Sequence, residues 1–270
     1  MTPLIKLDNF YLKREDFNKT GSAKDRAISV QIENLIKQRI NKAVISSTGN
    51  AAISALHFCQ INNIDLTVFL SPKIESQKLN EIKSKTNQIE FSLKPISDAF
   101  KFAKANNAFY LRQSTDPNAL IGYQEIGKEL LQQLPQITSI FIPVGSGTTL
   151  LGISQSLSNV KIFAVQPANH CPIAKIFDSN YTAENDSIAD ALSVKVLPLK
   201  SQVIKAIKES NGSAFVVQNQ DVLKTQEILE NQNIKTSPEG ALALTGLYKA
   251  INSNIDIGQY PVVLLTGAKR

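Results

Sequence analysis

The stretch "SIFIPVGSGTTLLGIS", residues 139–154, decides the fold class because it passes from an apolar run through a glycine loop into a helical pattern. A continuous apolar run is typical of a strand that is covered on both faces. The glycines of the loop let backbone N–H groups approach an anion, and its hydroxyl side chains add further donors. The candidate phosphate-binding residues are Gly145, Ser146, Gly147, Thr148 and Thr149.

The loop fits a phosphate monoester better than a nucleotide. The Gly-Lys-Ser/Thr sequence of a Walker A motif is absent. Leu150 stands where the dinucleotide fingerprint requires glycine, and the next apolar run ends in Gln166 rather than in an acid. A tight strand–helix turn without any ligand is the alternative for this loop when it is read alone.

Apolar runs of strand length recur along the chain, and segments with helical spacing lie between most of them. The runs are 43–46, 66–70, 89–93, 109–112, 139–144, 161–166, 214–217 and 261–266. The helical segments include 51–62, 75–85, 97–106, 118–133, 220–232 and 239–252. This alternation predicts an α/β fold with parallel sheets covered by helices. Residues 167–200 break the pattern and predict a long irregular connection.

Composition excludes several classes of protein. The formal net charge is +6, but the basic residues are scattered among acids and tryptophan is absent, so a nucleic-acid partner is not expected. No apolar run reaches the roughly 20 residues of a membrane span, and the N-terminus has no signal-peptide pattern. Two cysteines form no disulfide framework, which favours a reducing, cytoplasmic setting.

Zinc and serine-triad chemistry find no support either. His57 and His170 are the two histidines, and neither belongs to a zinc-binding or GxSxG motif, so no metal is predicted.

Ligands of open α/β sheets collect outside the carboxyl ends of the strands. There, residues 47–50 precede a helix and form a second anion cradle or an ordinary cap. Lys24 stands in what we predict to be the first turn of a helix, where the helix dipole disfavours a cation. Ser22 and Asp25 fit a capping box, and on that pattern alone Lys24 is an ordinary solvated lysine.

Taken together, these stretches resemble the fold-type-II pyridoxal-phosphate enzymes, the tryptophan-synthase-β-like superfamily. Its members include threonine synthase, cysteine synthase and the serine/threonine dehydratases. The motifs keep the family's order over nearly the whole chain: TPL (2–4), KREDFNKTGSAKDR (13–26), SSTGNAAIS (46–54), STDPNALIGYQEIGKEL (114–130), PVGSGTTLLGI (143–153), SIADAL (187–192), SPEGALAL (237–244) and LLTG (264–267).

The resemblance implies pyridoxal 5'-phosphate as the cofactor and assigns its contacts. Lys24 would form the Schiff base, Asn50 would bind the ring oxygen, and Thr266 would face the pyridine nitrogen. The loop 145–149 would hold the phosphate. A small amino acid is the implied substrate, and its carboxylate would be bound by Ser47, Thr48, Gly49 and Asn50.

The resemblance is strongest to threonine synthase, with features of cysteine synthase and the dehydratases. It implies a lyase of amino-acid biosynthesis that catalyses elimination or replacement. Threonine synthases carry an arginine that binds the substrate phosphate where this chain has Ala119, which puts phosphohomoserine in doubt. Ser114 lies in the same region and is the remaining candidate substrate contact, and Arg112 is a candidate replacement for the missing cation.

Two α/β domains are expected. The smaller one spans 18–120 and carries Lys24 and the carboxylate loop. The larger one combines 1–17 with 121–270 and carries the phosphate loop and Thr266. The family also implies a homodimer. Dehydration of serine or threonine, or β-replacement of the cysteine-synthase type, are the alternative reactions. A non-catalytic small-molecule-binding α/β protein is the non-enzymatic alternative.

Overall fold

The structure is a computed structural model that describes residues 1–47, 49–74, 76–194 and 197–269. Its strands are β1 (Leu4–Leu7), β2 (Phe10–Arg14), β3 (Lys42–Ser46), β4 (Asp65–Leu70), β5 (Ile89–Phe91), β6 (Phe109–Tyr110), β7 (Ser139–Pro143), β8 (Lys161–Pro167), β9 (Ser213–Val217) and β10 (Pro261–Leu265). Its helices are α1 (Lys24–Lys37), α2 (Asn50–Ile61), α3 (Ser76–Lys83), α4 (Pro95–Ala105), α5 (Pro117–Gln133), α6 (Thr148–Ser154), α7 (Lys200–Glu209), α8 (Asn219–Asn231) and α9 (Pro238–Asn252).

The chain forms two compact units. The large unit contains residues 1–23 and 123–270, and the small unit contains residues 24–122. The small unit thus begins at Lys24 rather than at residue 18, and it ends at Gly122 rather than at residue 120. Residues just before Lys24 belong to the large unit because they pair with its C-terminal segment: Ser22 forms a β-bridge with Gly267.

The sheet of the large unit has the strand order β1-β2-β10-β7-β8-β9. Its neighbouring strands are parallel except for the antiparallel pair β1–β2. Every residue of β7 and β10 is buried, as expected for central strands covered on both faces. Three phenylalanines on β7, β8 and β9 pack against one another, with Phe141 and Phe163 stacked at 4.6 Å between ring centroids.

The sheet of the small unit has the order β5-β4-β3-β6 and is parallel throughout. Side chains of a strand alternate between the two faces of its sheet. Ala43 and Ile45 of β3 accordingly join the core formed with α1 and α2. Val44, between them, packs with the buried alanines of α4. The helices therefore cover both faces of this sheet.

These sheets confirm the predicted fold class, and the strands β3 to β10 coincide with the predicted apolar runs. The sequence reading missed the hairpin β1–β2 and helix α7. Between Pro167 and Lys200 the described residues contain only the short 3₁₀ turns Ala174–Ile176 and Asp190–Leu192, so the irregular connection is confirmed. Among the described residues, no helix combines the length and apolar character that crossing a membrane requires.

Candidate active site

The glycine loop of the large unit follows the carboxyl end of β7. Gly147 is the residue before α6 and has φ +90°, a left-handed conformation that strains any L-residue. A Cβ added there would lie 2.4 Å from Cγ2 of Val203 on α7, so the position also lacks room for a side chain. Backbone geometry and packing together explain why glycine stands here.

The donors of this loop suit a small anion. The Ser146 and Thr148 hydroxyls lie 3.0 Å apart and share a hydrogen bond. The backbone N–H groups of residues 145–149 donate no hydrogen bond to any of the described residues. Unpaired N–H groups at the start of a helix are stabilised by an anion. A phosphate group is chemically matched to this set of amide and hydroxyl donors.

Thr266 follows the carboxyl end of β10, which lies beside β7 in the same sheet. The carbonyl of Thr266 accepts a hydrogen bond of 2.9 Å from the N–H of Ala23. The chain therefore reaches Lys24, which is bonded directly to Ala23, from a contact with Thr266. In the large unit, the glycine loop 145–149, Thr266 and the residue before Lys24 all belong to the carboxyl edge of two neighbouring strands.

Lys24 is the first residue of α1, as the sequence predicted. Its side chain is partly buried, so it is not the fully solvated lysine that the capping-box pattern alone suggests. Ser22 and Asp25 on either side are buried, with 0% and 4% of their surface exposed.

The predicted carboxylate loop lies at the carboxyl end of β3 in the small unit. Asn50 begins α2, and Gly49 stands at its N-cap position. The Gly49 N–H donates to the Ser47 hydroxyl at 3.3 Å, so these two candidates bind each other. The first turn of α2 places backbone N–H groups at this loop, as the start of any helix does. Thr48 lies outside the described residues.

Ser114 lies in the short 3₁₀ turn Gln113–Thr115 and is partly buried. This turn follows β6, and β6 is the neighbour of β3, so Ser114 and the 47–50 loop belong to the same sheet edge. Ala119 is completely buried at the start of α5. Ala119 therefore occupies a core position rather than a ligand-binding one, at the place where the resemblance to threonine synthases implies an arginine.

Several residues that shape the loop were missed by the sequence reading. A Cβ added to Gly145 would lie 3.3 Å from Cγ2 of Val194 and 3.4 Å from the Cα of Leu192. The irregular connection therefore packs over Gly145. Leu192 and Val194 are apolar residues more than forty positions further along the chain, and no local pattern links them to the loop.

Comparisons with known proteins show the family to which the chain belongs. A sequence profile of the family described as "Pyridoxal-phosphate dependent enzyme" matches residues 1–267. Threonine synthase from Methanosarcina acetivorans is 26% identical over 98% of this chain and 73% of its own length. A catabolic L-threonine dehydratase from Staphylococcus aureus is also 26% identical, over 98% of this chain and 83% of its own length.

Solved structures share the fold. The processed form of threonine deaminase isoform 2 from Solanum lycopersicum has a TM-score of 0.83 at 21% identity, covering 97% of this chain and 75% of that one. Maize serine racemase has a TM-score of 0.87 at 17% identity, covering 100% of this chain and 88% of that one. At these identities the likeness concerns the fold alone.

Proposed function

This chain belongs to the family of pyridoxal-phosphate-dependent enzymes, and we propose that it catalyses an elimination or replacement on a small amino acid, with a threonine-synthase-like lyase reaction as the first candidate. The cofactor of the family is pyridoxal 5'-phosphate. The threonine synthase and threonine dehydratase among the relatives support a reaction at the side chain of a small amino acid.

One observation carries the proposal: the arrangement of the carboxyl edge of the large unit. The backbone N–H groups of the loop 145–149 have no partner among the described residues, and the Ser146 and Thr148 hydroxyls of the same loop share one hydrogen bond, so the loop offers the donors that a phosphate ester requires. The Ala23–Thr266 hydrogen bond ties the segment that leads into Lys24 to the strand beside that loop. The residues present therefore fit pyridoxal phosphate, which needs a phosphate cradle, a partner for its ring nitrogen and a lysine.

When bound, the cofactor supplies an electron sink that stabilises negative charge at the substrate Cα. The protein residues bind and orient. The loop 145–149 would hold the phosphate, and the Thr266 hydroxyl would donate a hydrogen bond to the ring nitrogen. A hydroxyl donates a hydrogen bond to the ring nitrogen without transferring its proton, whereas a carboxylic acid transfers it. With a hydroxyl partner the ring is a weaker electron sink, and this favours elimination over reactions that need a long-lived carbanion.

Lys24 is the proposed point of covalent attachment and the proposed base. When it is not bonded to the cofactor, the Lys24 amine would accept the proton from the substrate Cα. The loop 47–50 would orient the substrate carboxylate at the start of α2, and Asn50 would contact the ring oxygen of the cofactor. Orientation of the Cα–H bond towards the Lys24 amine lowers the barrier by removing the entropy of alignment.

Dehydration of serine or threonine is the second candidate, and the burial of Ala119 favours it. No cation is available at that position to bind a substrate phosphate. A substrate whose leaving group is an unphosphorylated hydroxyl needs no such cation. Arg112, immediately before the 3₁₀ turn Gln113–Thr115, is the alternative phosphate ligand if phosphohomoserine is the substrate.

We place the protein in a reducing, cytoplasmic setting, as a homodimer without nucleic-acid or membrane partners. The two cysteines, Cys59 and Cys171, are free and buried, which supports the reducing environment. Size-exclusion chromatography with light scattering tests the dimer directly.

A substrate panel tests the reaction. The holoenzyme is assayed with O-phosphohomoserine, serine, threonine, and O-acetylserine with sulfide, following phosphate, 2-oxo acid or cysteine release. Phosphate and threonine from O-phosphohomoserine support the first candidate, and 2-oxobutanoate or pyruvate supports the second. Cofactor binding without turnover of any of the four would contradict both. A chain that binds no pyridoxal phosphate would leave the non-catalytic small-molecule-binding protein as the better account.

A further inference from the structure

We propose that Gln166 is a positioning residue for the cofactor-phosphate loop: it fixes the direction of the peptide between Val144 and Gly145. This inference rests on the proposed function of the loop 145–149. The sequence noted Gln166 only as a residue that replaces the acid of a dinucleotide-binding strand. The structure gives it a contact with the residue immediately before the loop.

Gln166 lies near the carboxyl end of β8, beside β7, and is completely buried. Its Nε2 donates to the Val144 carbonyl at 3.1 Å. Its Oε1 accepts from the N–H groups of Ile173 and Ala174, both at 2.9 Å. The reverse orientation of the amide would place its NH₂ group against two N–H groups and its oxygen against a carbonyl, so the chemistry permits only the observed one.

Planarity of the peptide bond carries this contact into the loop. In a trans peptide the C=O and the following N–H lie in one plane and point in opposite directions. A fixed Val144 carbonyl therefore fixes the direction of the Gly145 N–H. That N–H is the first donor of the proposed phosphate cradle, and glycine at position 145 has no side chain that could hold it otherwise.

Gln166 also joins the loop to its cover. Ile173 and Ala174 begin the part of the irregular connection that contains the turn Ala174–Ile176. The same connection later packs over Gly145 through Leu192 and Val194. One buried amide thus binds the residue that leads into the loop and the start of the segment that covers it. A side chain that served the core alone would need no polar atoms.

Gln166→Leu tests the proposal because leucine has a similar volume and no hydrogen-bonding group. Ser139→Ala is the matched control: Ser139 is also fully buried, stands at the other end of β7, and donates to the Ile257 carbonyl at 2.6 Å. We expect Gln166→Leu to raise the Kd for pyridoxal phosphate about tenfold or more, the effect of one misdirected hydrogen bond. Ser139→Ala should leave that Kd within about twofold of the wild type.

Amide hydrogen exchange of the cofactor-free protein gives a second readout. The peptide that contains Gly145 should exchange faster in Gln166→Leu than in the wild type, whereas in Ser139→Ala its exchange should not change. This measurement also separates the two claims. A wild type that binds no pyridoxal phosphate overturns the proposed function, while unchanged exchange at Gly145 overturns the role of Gln166.

Gln166→Glu decides the matter if the leucine variant does not fold. An ionised carboxylate still accepts from Ile173 and Ala174 but repels the Val144 carbonyl, whereas a protonated carboxyl can donate to it. The ratio of the variant's cofactor Kd to that of the wild type should therefore fall as the pH is lowered. A ratio that stays near one at all pH values, or that does not change with pH, would overturn the proposal.

Discussion

Gly147→Ala is the substitution for which the structure supports the most detailed prediction. The backbone at Gly147 has φ +90° and ψ −7°. Holding an alanine in the left-handed region costs about 1–2 kcal/mol. The new Cβ would also lie 2.4 Å from Cγ2 of Val203, and overpacking of this kind costs about 1–3 kcal/mol. We therefore expect the free energy of unfolding to fall by about 2–5 kcal/mol.

A second substitution separates the two causes. Val203→Ala removes the atom that the new methyl group would meet, at the cost of a cavity in a completely buried position. The double variant Gly147→Ala/Val203→Ala should then be less destabilised than the sum of the two single variants, by about 1–3 kcal/mol. The remaining cost is the left-handed backbone, which no change at position 203 can relieve.

Urea unfolding of the cofactor-free protein measures these differences without any contribution from ligand binding. Gly49→Ala is the control, because Gly49 has φ −129° and an added Cβ there would have no atom within 4 Å. Its free energy of unfolding should change by less than about 1 kcal/mol. A Gly147→Ala protein as stable as Gly49→Ala, or strictly additive effects with Val203→Ala, would refute the reasoning.

Two further predictions concern buried ionisable groups. Lys13→Met removes the ammonium group that lies 2.6 Å from the Glu129 carboxylate, and it should lower the free energy of unfolding in urea by about 3–5 kcal/mol. Lys128→Met breaks an exposed pair with Glu125 and should lower that free energy by less than about 1 kcal/mol. Equal losses in the two variants would contradict this prediction. Burial raises the pKa of the Cys59 thiol to about 12, so iodoacetamide should alkylate it at about pH 8.5 only in denatured protein, and rapid labelling in the native state would contradict this. Because folding raises this pKa, the thiol contributes to the stability of the folded state below its ordinary pKa, and that contribution is lost as the pH rises from there towards 12.

The strands could be predicted because most of them are buried on both faces. Strands β7 and β10 are buried at every position and apolar at all of them except Ser139, so their pattern is visible without knowledge of the tertiary fold. Strand β2 was missed because it contains Lys13, a charged residue. Lys13 can be buried because its ammonium group pairs with the Glu129 carboxylate, and Glu129 lies 116 residues further along the chain. A local pattern cannot show such a pair.

The candidate site likewise contains local features, which the sequence shows, and contacts between distant segments, which it does not show. The glycines in the loop 145–149 and the start of α9 are local features, and Ser237 caps α9 by accepting from the Gly240 N–H. The Ala23–Thr266 bond and the Gln166–Val144 bond join segments that meet only in the folded sheet. The family resemblance names Thr266 as a candidate, but it does not give the contact that ties Thr266 to the segment before Lys24.

Borohydride trapping tests whether pyridoxal phosphate is attached to Lys24, on which the proposed function depends. The purified protein, loaded with pyridoxal phosphate, is reduced with borohydride, which fixes the cofactor to the lysine that carries it. Digestion and mass spectrometry then locate the modified residue. Lys19→Ala is the matched control for Lys24→Ala, because Lys19 is an exposed lysine in the same segment.

The account predicts a yellow wild type whose visible band disappears on reduction and whose modification lies on Lys24. Lys19→Ala should behave like the wild type, and Lys24→Ala should show neither the band nor the modification. A modification on another lysine, or a visible band of wild-type intensity that persists in Lys24→Ala and is lost on reduction, would contradict the account.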